Sequence, residues 1–161
     1  MGSSDSIYPT SWLDTYMKNL ELTKDKGYIC YNTGNHDNFR MSRQLDEDGM
    51  KLVYAFIMAM PGVPYVYYGD EIGMRYVENL ESVEGGYHRT GSRTPMQWDD
   101  SANGGFTTAT PWFASNPNYV SINAASQVND PESIFRNTPE AMKAICEIYG
   151  VTYGEGKEYA T

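Results

Sequence analysis

Residues 28–71 read YICYNTGNHDNFRMSRQLDEDGMKLVYAFIMAMPGVPYVYYGDE, and the fold turns on how this stretch divides. Tyr28–Asn32 is apolar and short, and it predicts a strand. Thr33–Arg40 is a polar loop. Leu52, Val53, Phe56, Ile57 and Met60 repeat with helical spacing and predict a helix over Gly49–Met60. Pro61–Gly62 stops it, and Val63–Tyr68 predicts a second strand, with Pro64, which lacks a ladder donor, near its start. Strand, helix and strand in that order predict a right-handed parallel unit. The first strand lacks clean alternation, as expected of one buried on both faces. Both strands run into polar residues, Asn35–His36–Asp37 after the first and Asp70–Glu71 after the second. That end of an α/β sheet is where chemistry is usually placed.

The elements on either side are less sharply drawn. Upstream, Trp12, Leu13, Tyr16, Met17 and Leu20 form one apolar face, so a helix is expected from Trp12 to Leu20 with Thr10 or Ser11 as its cap. Asp46 and Asp48 favour the start of the second helix electrostatically. From Asp70 to Asp130 there is no periodicity, only glycine pairs, Thr94–Pro95, Asn116–Pro117 and a run of aromatic residues. Loops this long usually form binding walls or lids. Asp130–Pro131 reads as a cap with proline at the first helical position. Thr138 is a further cap before a stripe of Met142, Ile145, Cys146 and Tyr149, closed by Gly150.

With 161 residues, 40% of them apolar, the chain is long enough for one modest core. Its 12 Lys and Arg against 21 Asp and Glu give a formal charge of -9, which opposes nucleic acid and anionic membrane as partners. A neutral sugar meets no such penalty. Fourteen Tyr, three Trp and five Phe suit either a tyrosine-rich core or a cleft that stacks on sugar rings. Cys30 and Cys146 are expected as core thiols. They form no disulfide framework and no metal spacing, and no cofactor is expected. No run approaches the roughly 20 apolar residues of a membrane span, and Met1–Ser6 lacks the features of a signal peptide. A cytoplasmic setting is the expectation.

Three clusters carry the possible chemistry. Asn35–His36–Asp37 is either a polar turn or a substrate grip, with Asp37 facing developing positive charge and His36 donating to a hydroxyl. Arg40 is placed to hold a carboxylate through a bidentate pair. Asp70 and Glu71, as neighbouring acids, are expected to divide, one at the cleft edge and one satisfying loop amides. Arg93–Asp99, RTPMQWD, is either a packed loop anchored by Trp98 or a cleft wall in which Arg93 organises acids.

GNHDNFR at Gly34–Arg40, GVPYVYYGDEIGM at Gly62–Met74 and GSRTPMQWDDSANGGF at Gly91–Phe106 together resemble the α-amylase family of glycoside hydrolases, in its α-glucosidase branch. PWFASNPNYVSIN at Pro111–Asn123 and VNDPESIF at Val128–Phe135 extend the resemblance, which covers about residues 12–135 and leaves 136–161 as a divergent tail. It implies an α/β fold that is part of a (β/α)8 TIM barrel: the last two strands, their helices and a long loop after the last strand. Asp37 is then the third acid of the catalytic set, the transition-state stabiliser. His36, Asn35, Arg40, Arg93, Gln97 and Trp98 are then substrate-binding residues.

The implied activity is hydrolysis or transfer of α-glucosidic bonds in small α-glucosides or oligosaccharides by a retaining mechanism. Such a mechanism uses two carboxyls about 5 Å apart. In the family these follow strands four and five, upstream of anything present here, so the chain alone is expected to be inactive. The alternatives are a noncatalytic carbohydrate-binding or partner-dependent relative, or an inactive gene fragment.

Overall fold

A computed structural model describes residues 9–83, 85–136 and 143, with side chains from Trp12 onward. Helix α1 spans Pro9–Thr23, strand β1 Cys30–Asn32, helix α2 Glu47–Ala59 and strand β2 Val63–Tyr65. Single 3-10 turns and the four-residue helix α3, Ala124–Gln127, punctuate the rest. β1 and β2 are parallel, with Cys30 opposite Val63, Tyr31 opposite Pro64 and Asn32 opposite Tyr65. The parallel β1–α2–β2 unit is the one the sequence predicts.

α2 forms where its capping chemistry is complete. Asp46 has extended backbone and accepts a hydrogen bond from the Gly49 N–H, and Glu47 and Asp48 fill the first turn. The helix therefore starts two residues before the expected Gly49. Its buried face is Met50, Tyr54 and Ile57. Leu52 is exposed and Phe56 largely so, which corrects the expected stripe: the helix is rotated so that i, i+4 and i+7 meet the strands. α1 begins at Pro9, so Thr10 and Ser11 lie inside it and neither is its cap.

The core joins Tyr16 of α1, Tyr31 of β1, the α2 face and Ile134. The hydroxyls of Tyr16 and Tyr31 both donate to the Pro61 carbonyl, at 2.9 and 2.8 Å, and so tie α1 and β1 to the α2–β2 turn. Trp12 stacks on Tyr16 with ring centroids 5.4 Å apart and planes parallel within 2°. A second, smaller core holds Ile72, Met74 and Met96 under the long loop.

Both strands are shorter than predicted. β1 is buried on one face only: Tyr31 points in while Cys30 and Asn32 point out, so Cys30 is an exposed thiol and not the expected core one. β2 ends at Tyr65 because side chains capture the backbone beyond it. The Thr33 hydroxyl accepts from the Tyr67 N–H at 2.9 Å, and Arg40 Nη1 donates to the Tyr68 carbonyl at 2.7 Å. The chain then turns at Asp70–Ile72 between Gly69 (φ 83°) and Gly73 (φ 68°), both left-handed. A Cβ on Gly73 would lie 2.7 Å from Ile134 Cδ1, and one on Gly69 would overlap Met74, so only glycine suits either position.

Asp130–Pro131 do not open a helix. Asp130 Oδ1 accepts from the Glu132 N–H at 2.9 Å in a turn. Helical residues begin at 134, with the Ser133 hydroxyl accepting from the Arg136 N–H at 3.2 Å. Thr138, Met142, Ile145, Cys146, Tyr149 and Gly150 lie outside the described residues. Among the described residues no helix is long and apolar enough to cross a membrane.

Candidate active site

The loop after β1 and the 3-10 segment Tyr87–Ser92 meet at Asp37. Asn35 shapes the approach: its Oδ1 accepts from the Asp37 N–H at 2.8 Å, a side-chain turn that sets the direction of the acid. Arg89 Nη1 donates to Asp37 Oδ1 at 2.6 Å, and Arg93 Nη2 donates to the same oxygen at 3.0 Å. Arg93 Nε also donates to the His36 carbonyl at 2.9 Å. His36 Nε2 stands 3.6 Å from the other carboxylate oxygen, Oδ2. The carboxyl is about half exposed, so this is an open cluster of two guanidiniums, an imidazole and an acid at the sheet's C-terminal end.

Of the residues singled out in the sequence, Asn35, His36, Asp37 and Arg93 are therefore brought together. Arg40 is not with them. It is buried beneath the loop, packed 4.9 and 5.0 Å from the Tyr67 and Tyr68 ring centroids, and its ion-pair partner is Asp70. The pair is made through one nitrogen, not a fork: Nη1 lies 2.9 Å from Asp70 Oδ1. Asp70 is thus neither a cleft-edge acid nor a loop-amide acceptor. Burial pushes its carboxyl up, and the opposing influences are the Thr33 hydroxyl, which donates to Oδ2 at 2.7 Å, and the Arg40 guanidinium.

Gln97 is also buried. Its Nε2 donates to Asn118 Oδ1 at 3.1 Å and to the Ile122 carbonyl, and its backbone carbonyl accepts from the Ala124 N–H at 3.0 Å. It fastens the long loop to the start of α3. Trp98, the next residue, is half exposed and lines a cavity of about 450 Å³ with Tyr68, Met96, Phe106, Trp112 and Phe113. Arg93 and Glu71 also line this cavity. Burial pushes the Glu71 carboxyl up against the pull of the Glu71 and Gly69 backbone amides, so Glu71 is the acid that meets loop amides, and its Oε2 has no partner among the described residues.

Arg89 was not singled out in the sequence. The available signal was its place among Arg75, Arg89 and Arg93, the cations of one loop in an acidic chain. Among the described residues no group of three or more His, Cys, Asp or Glu is positioned to hold a metal ion.

A family model for the alpha amylase catalytic domain matches residues 4–151. The oligo-1,6-glucosidase of Parageobacillus thermoglucosidasius is 36% identical, over 83% of this chain and 30% of that protein. A solved structure of an inactive double mutant of MutB in complex with isomaltulose superposes with a TM-score of 0.71 at 29% identity, covering 84% of this chain and 31% of that one. A mutant isomaltulose synthase from Erwinia rhapontici NX5, in complex with its natural substrate sucrose, superposes with a TM-score of 0.68 at 28% identity over 90% of this chain and 32% of that one. The chain thus spans about 30% of the length of the relatives it matches. Its two parallel strands and helices align with part of a barrel catalytic domain. With a match over nearly its whole length, the chain belongs to the alpha-amylase catalytic-domain family.

Proposed function

We propose that this chain is the C-terminal part of the catalytic barrel of an enzyme that hydrolyses or transfers α-glucosidic bonds in small α-glucosides or oligosaccharides. β1 and β2 are then strands seven and eight. The observation that carries the reading is the arrangement at Asp37, an accessible acid with one oxygen fixed by Arg89 and Arg93 and the other facing His36. That acid grips the glucosyl ring and stabilises the positive charge that develops at its anomeric carbon. His36 donates to a ring hydroxyl, and Asn35 and Arg93 set the direction of the acid. Trp98 stands in the wall of the neighbouring aromatic cavity. Arg40 and Gln97 serve substrate binding from beneath, by holding these loops in place.

The nucleophile and the general acid of a retaining mechanism are then supplied by parts of the barrel outside these 161 residues. The chain by itself is expected not to turn over p-nitrophenyl α-D-glucoside or isomaltose, because two positioned groups share the bond-breaking work. The native polypeptide that carries the sequence is expected to do so. In it, Asp37→Asn should lower kcat by about 10²–10³-fold, as loss of one transition-state stabiliser does, and raise KM, because the same carboxylate grips the bound ring. An unchanged kcat in that variant would remove Asp37 from the reaction. The same assay on the native polypeptide separates an enzyme from a noncatalytic relative.

A further inference from the structure

Ser92 is buried, and its hydroxyl donates to the Asn38 carbonyl at 2.6 Å. Asn38 follows Asp37 in the chain, and Ser92 precedes Arg93. The bond therefore joins the two segments whose side chains meet at the acid, one residue away from that meeting on each side. It runs to the backbone, so it fixes the spacing of the segments themselves.

The contacts to the carboxyl are less suited to that task. Arg89 and Arg93 reach Asp37 on long side chains that keep exposed surface. Ion pairs of this kind hold a single geometry weakly, because ordering a long side chain costs entropy and solvent screens the charges. A serine oxygen is one rotation from the main chain. Held out of water, it loses little freedom in making its bond.

Ser92 is also anchored on its other side. Its carbonyl accepts from the Tyr67 hydroxyl at 3.1 Å. The Tyr67 N–H donates to the Thr33 hydroxyl, which donates in turn to Asp70 Oδ2. The Tyr67 ring packs on the Arg40 guanidinium. A connected path thus leads from the buried Arg40–Asp70 pair through Tyr67 to Ser92, and Ser92 passes it to the loop after β1. There the Asn38 N–H donates to the Asn35 carbonyl at 3.3 Å and the Asp37 N–H to Asn35 Oδ1, so that residues 35–38 form one turn. Holding the Asn38 carbonyl holds the turn that carries the acid.

We infer that Ser92 is a positioning residue for Asp37: its hydroxyl seats the Asn35–Asn38 turn against the Arg89–Arg93 segment and so sets where the carboxyl stands. The inference rests on the proposed role of Asp37 and adds to it a residue that touches neither the acid nor the sugar.

The test is a double-mutant cycle in the native polypeptide that carries the sequence, with p-nitrophenyl α-D-glucoside as substrate: wild type, Ser92→Ala, Asp37→Asn and the two combined. Ser92→Ala is expected to lower kcat about tenfold, through displacement of the acid. Once Asp37 is Asn, it should lower kcat no further. Ser92→Ala removes one oxygen and adds no bulk, and a thermal melt checks that the variant folds. Tyr67→Phe keeps the ring on Arg40 and removes only the donor to the Ser92 carbonyl. It should lower kcat by a smaller factor, again only while Asp37 is present, and it decides the matter if Ser92→Ala does not fold. An equal fall in kcat with and without the Asp37 carboxylate would mean that Ser92 acts on the fold at large, which overturns the inference. An unchanged kcat in Ser92→Ala beside an impaired Asp37→Asn overturns it too and spares the role of Asp37. An unchanged kcat in Asp37→Asn, or a native polypeptide that does not hydrolyse the glucoside, overturns both.

Discussion

Asp70 Oδ1 lies 2.9 Å from Arg40 Nη1, and neither side chain keeps any exposed surface. The pair joins residues from the ends of the two strands, and each partner also holds backbone or hydroxyl groups of the other strand's loop. Asp70→Asn would leave the guanidinium buried without a counter-charge, at an expected cost of about 3–5 kcal/mol. Arg40→Met combined with Asp70→Leu removes both charges and should cost much less than Asp70→Asn. Urea unfolding followed by circular dichroism checks this. Equal midpoints for Asp70→Asn and wild type would show that the pair clamps nothing.

Gly91 is the pressure point of the Arg89–Arg93 segment. A Cβ there would overlap the Val77 carbonyl oxygen and come 2.7 Å from the Tyr76 ring, and the Gly91 carbonyl accepts from the Val77 N–H at 3.1 Å. Gly91→Ala is expected to lower stability by about 1–3 kcal/mol through overpacking. It should also pull the two arginines off Asp37, so affinity for methyl α-D-glucoside should fall in the same variant. Binding that survives while the melting point drops would separate the segment's packing from its role at the acid.

Glu71 gives a pH dependence with a definite sign. Burial raises its carboxyl above the usual value of 4.5, so the folded chain binds the proton more tightly than the unfolded one. Stability then falls as pH rises through the raised value and stays lower above it. Glu71→Gln removes the titration. The variant should melt higher at neutral pH than the wild type. The gap should close as pH falls toward 4.5, the usual glutamate value. A gap that widens on acidification would reverse the assignment.

Asp46 caps α2 through a 2.9 Å bond from the Gly49 N–H to its Oδ1. Asp46→Ala is expected to cost about 1 kcal/mol, and Asp46→Asn only a fraction of that. Thermal melts of the two variants, compared at one pH, check the ranking.

The parts of this molecule that were legible in its sequence are those set by local chemistry. The parallel β1–α2–β2 unit followed from apolar runs and from Pro61–Gly62, whereas the α2 start was set two residues late, because Glu47 and Asp48 read as a polar approach rather than as the first turn beyond the Asp46 cap. The rotation of α2 was not legible, because Leu52 and Phe56 are as apolar as Met50 and Tyr54, and only contact with the strands chooses between them. The end of β2 depends on Thr33 and Arg40, some thirty residues away, and no local pattern announces such capture. At the candidate site, Asn35–His36–Asp37 stood out because its residues are contiguous. Arg89 did not, since its partner Asp37 is 52 residues distant. Asp70 and Glu71 looked interchangeable as letters. Their different fates come from what surrounds each, a guanidinium for one and an aromatic cavity for the other.

The two ion-pair systems differ in their contact with water. Asp37, Arg89 and Arg93 are 49%, 35% and 23% exposed, whereas Arg40 and Asp70 are sealed. Dissolved salt screens charges that solvent reaches, with a Debye length near 10 Å at 0.1 M and about 3 Å at 1 M, and touches sealed ones far less. Ionic strength is therefore a dial on one system and not on the other. Raising it should loosen the tether between the Asn35–Asp37 loop and the Tyr87–Ser92 segment while the scaffold beneath keeps its shape, so the working surface can be slackened without unfolding the protein that carries it.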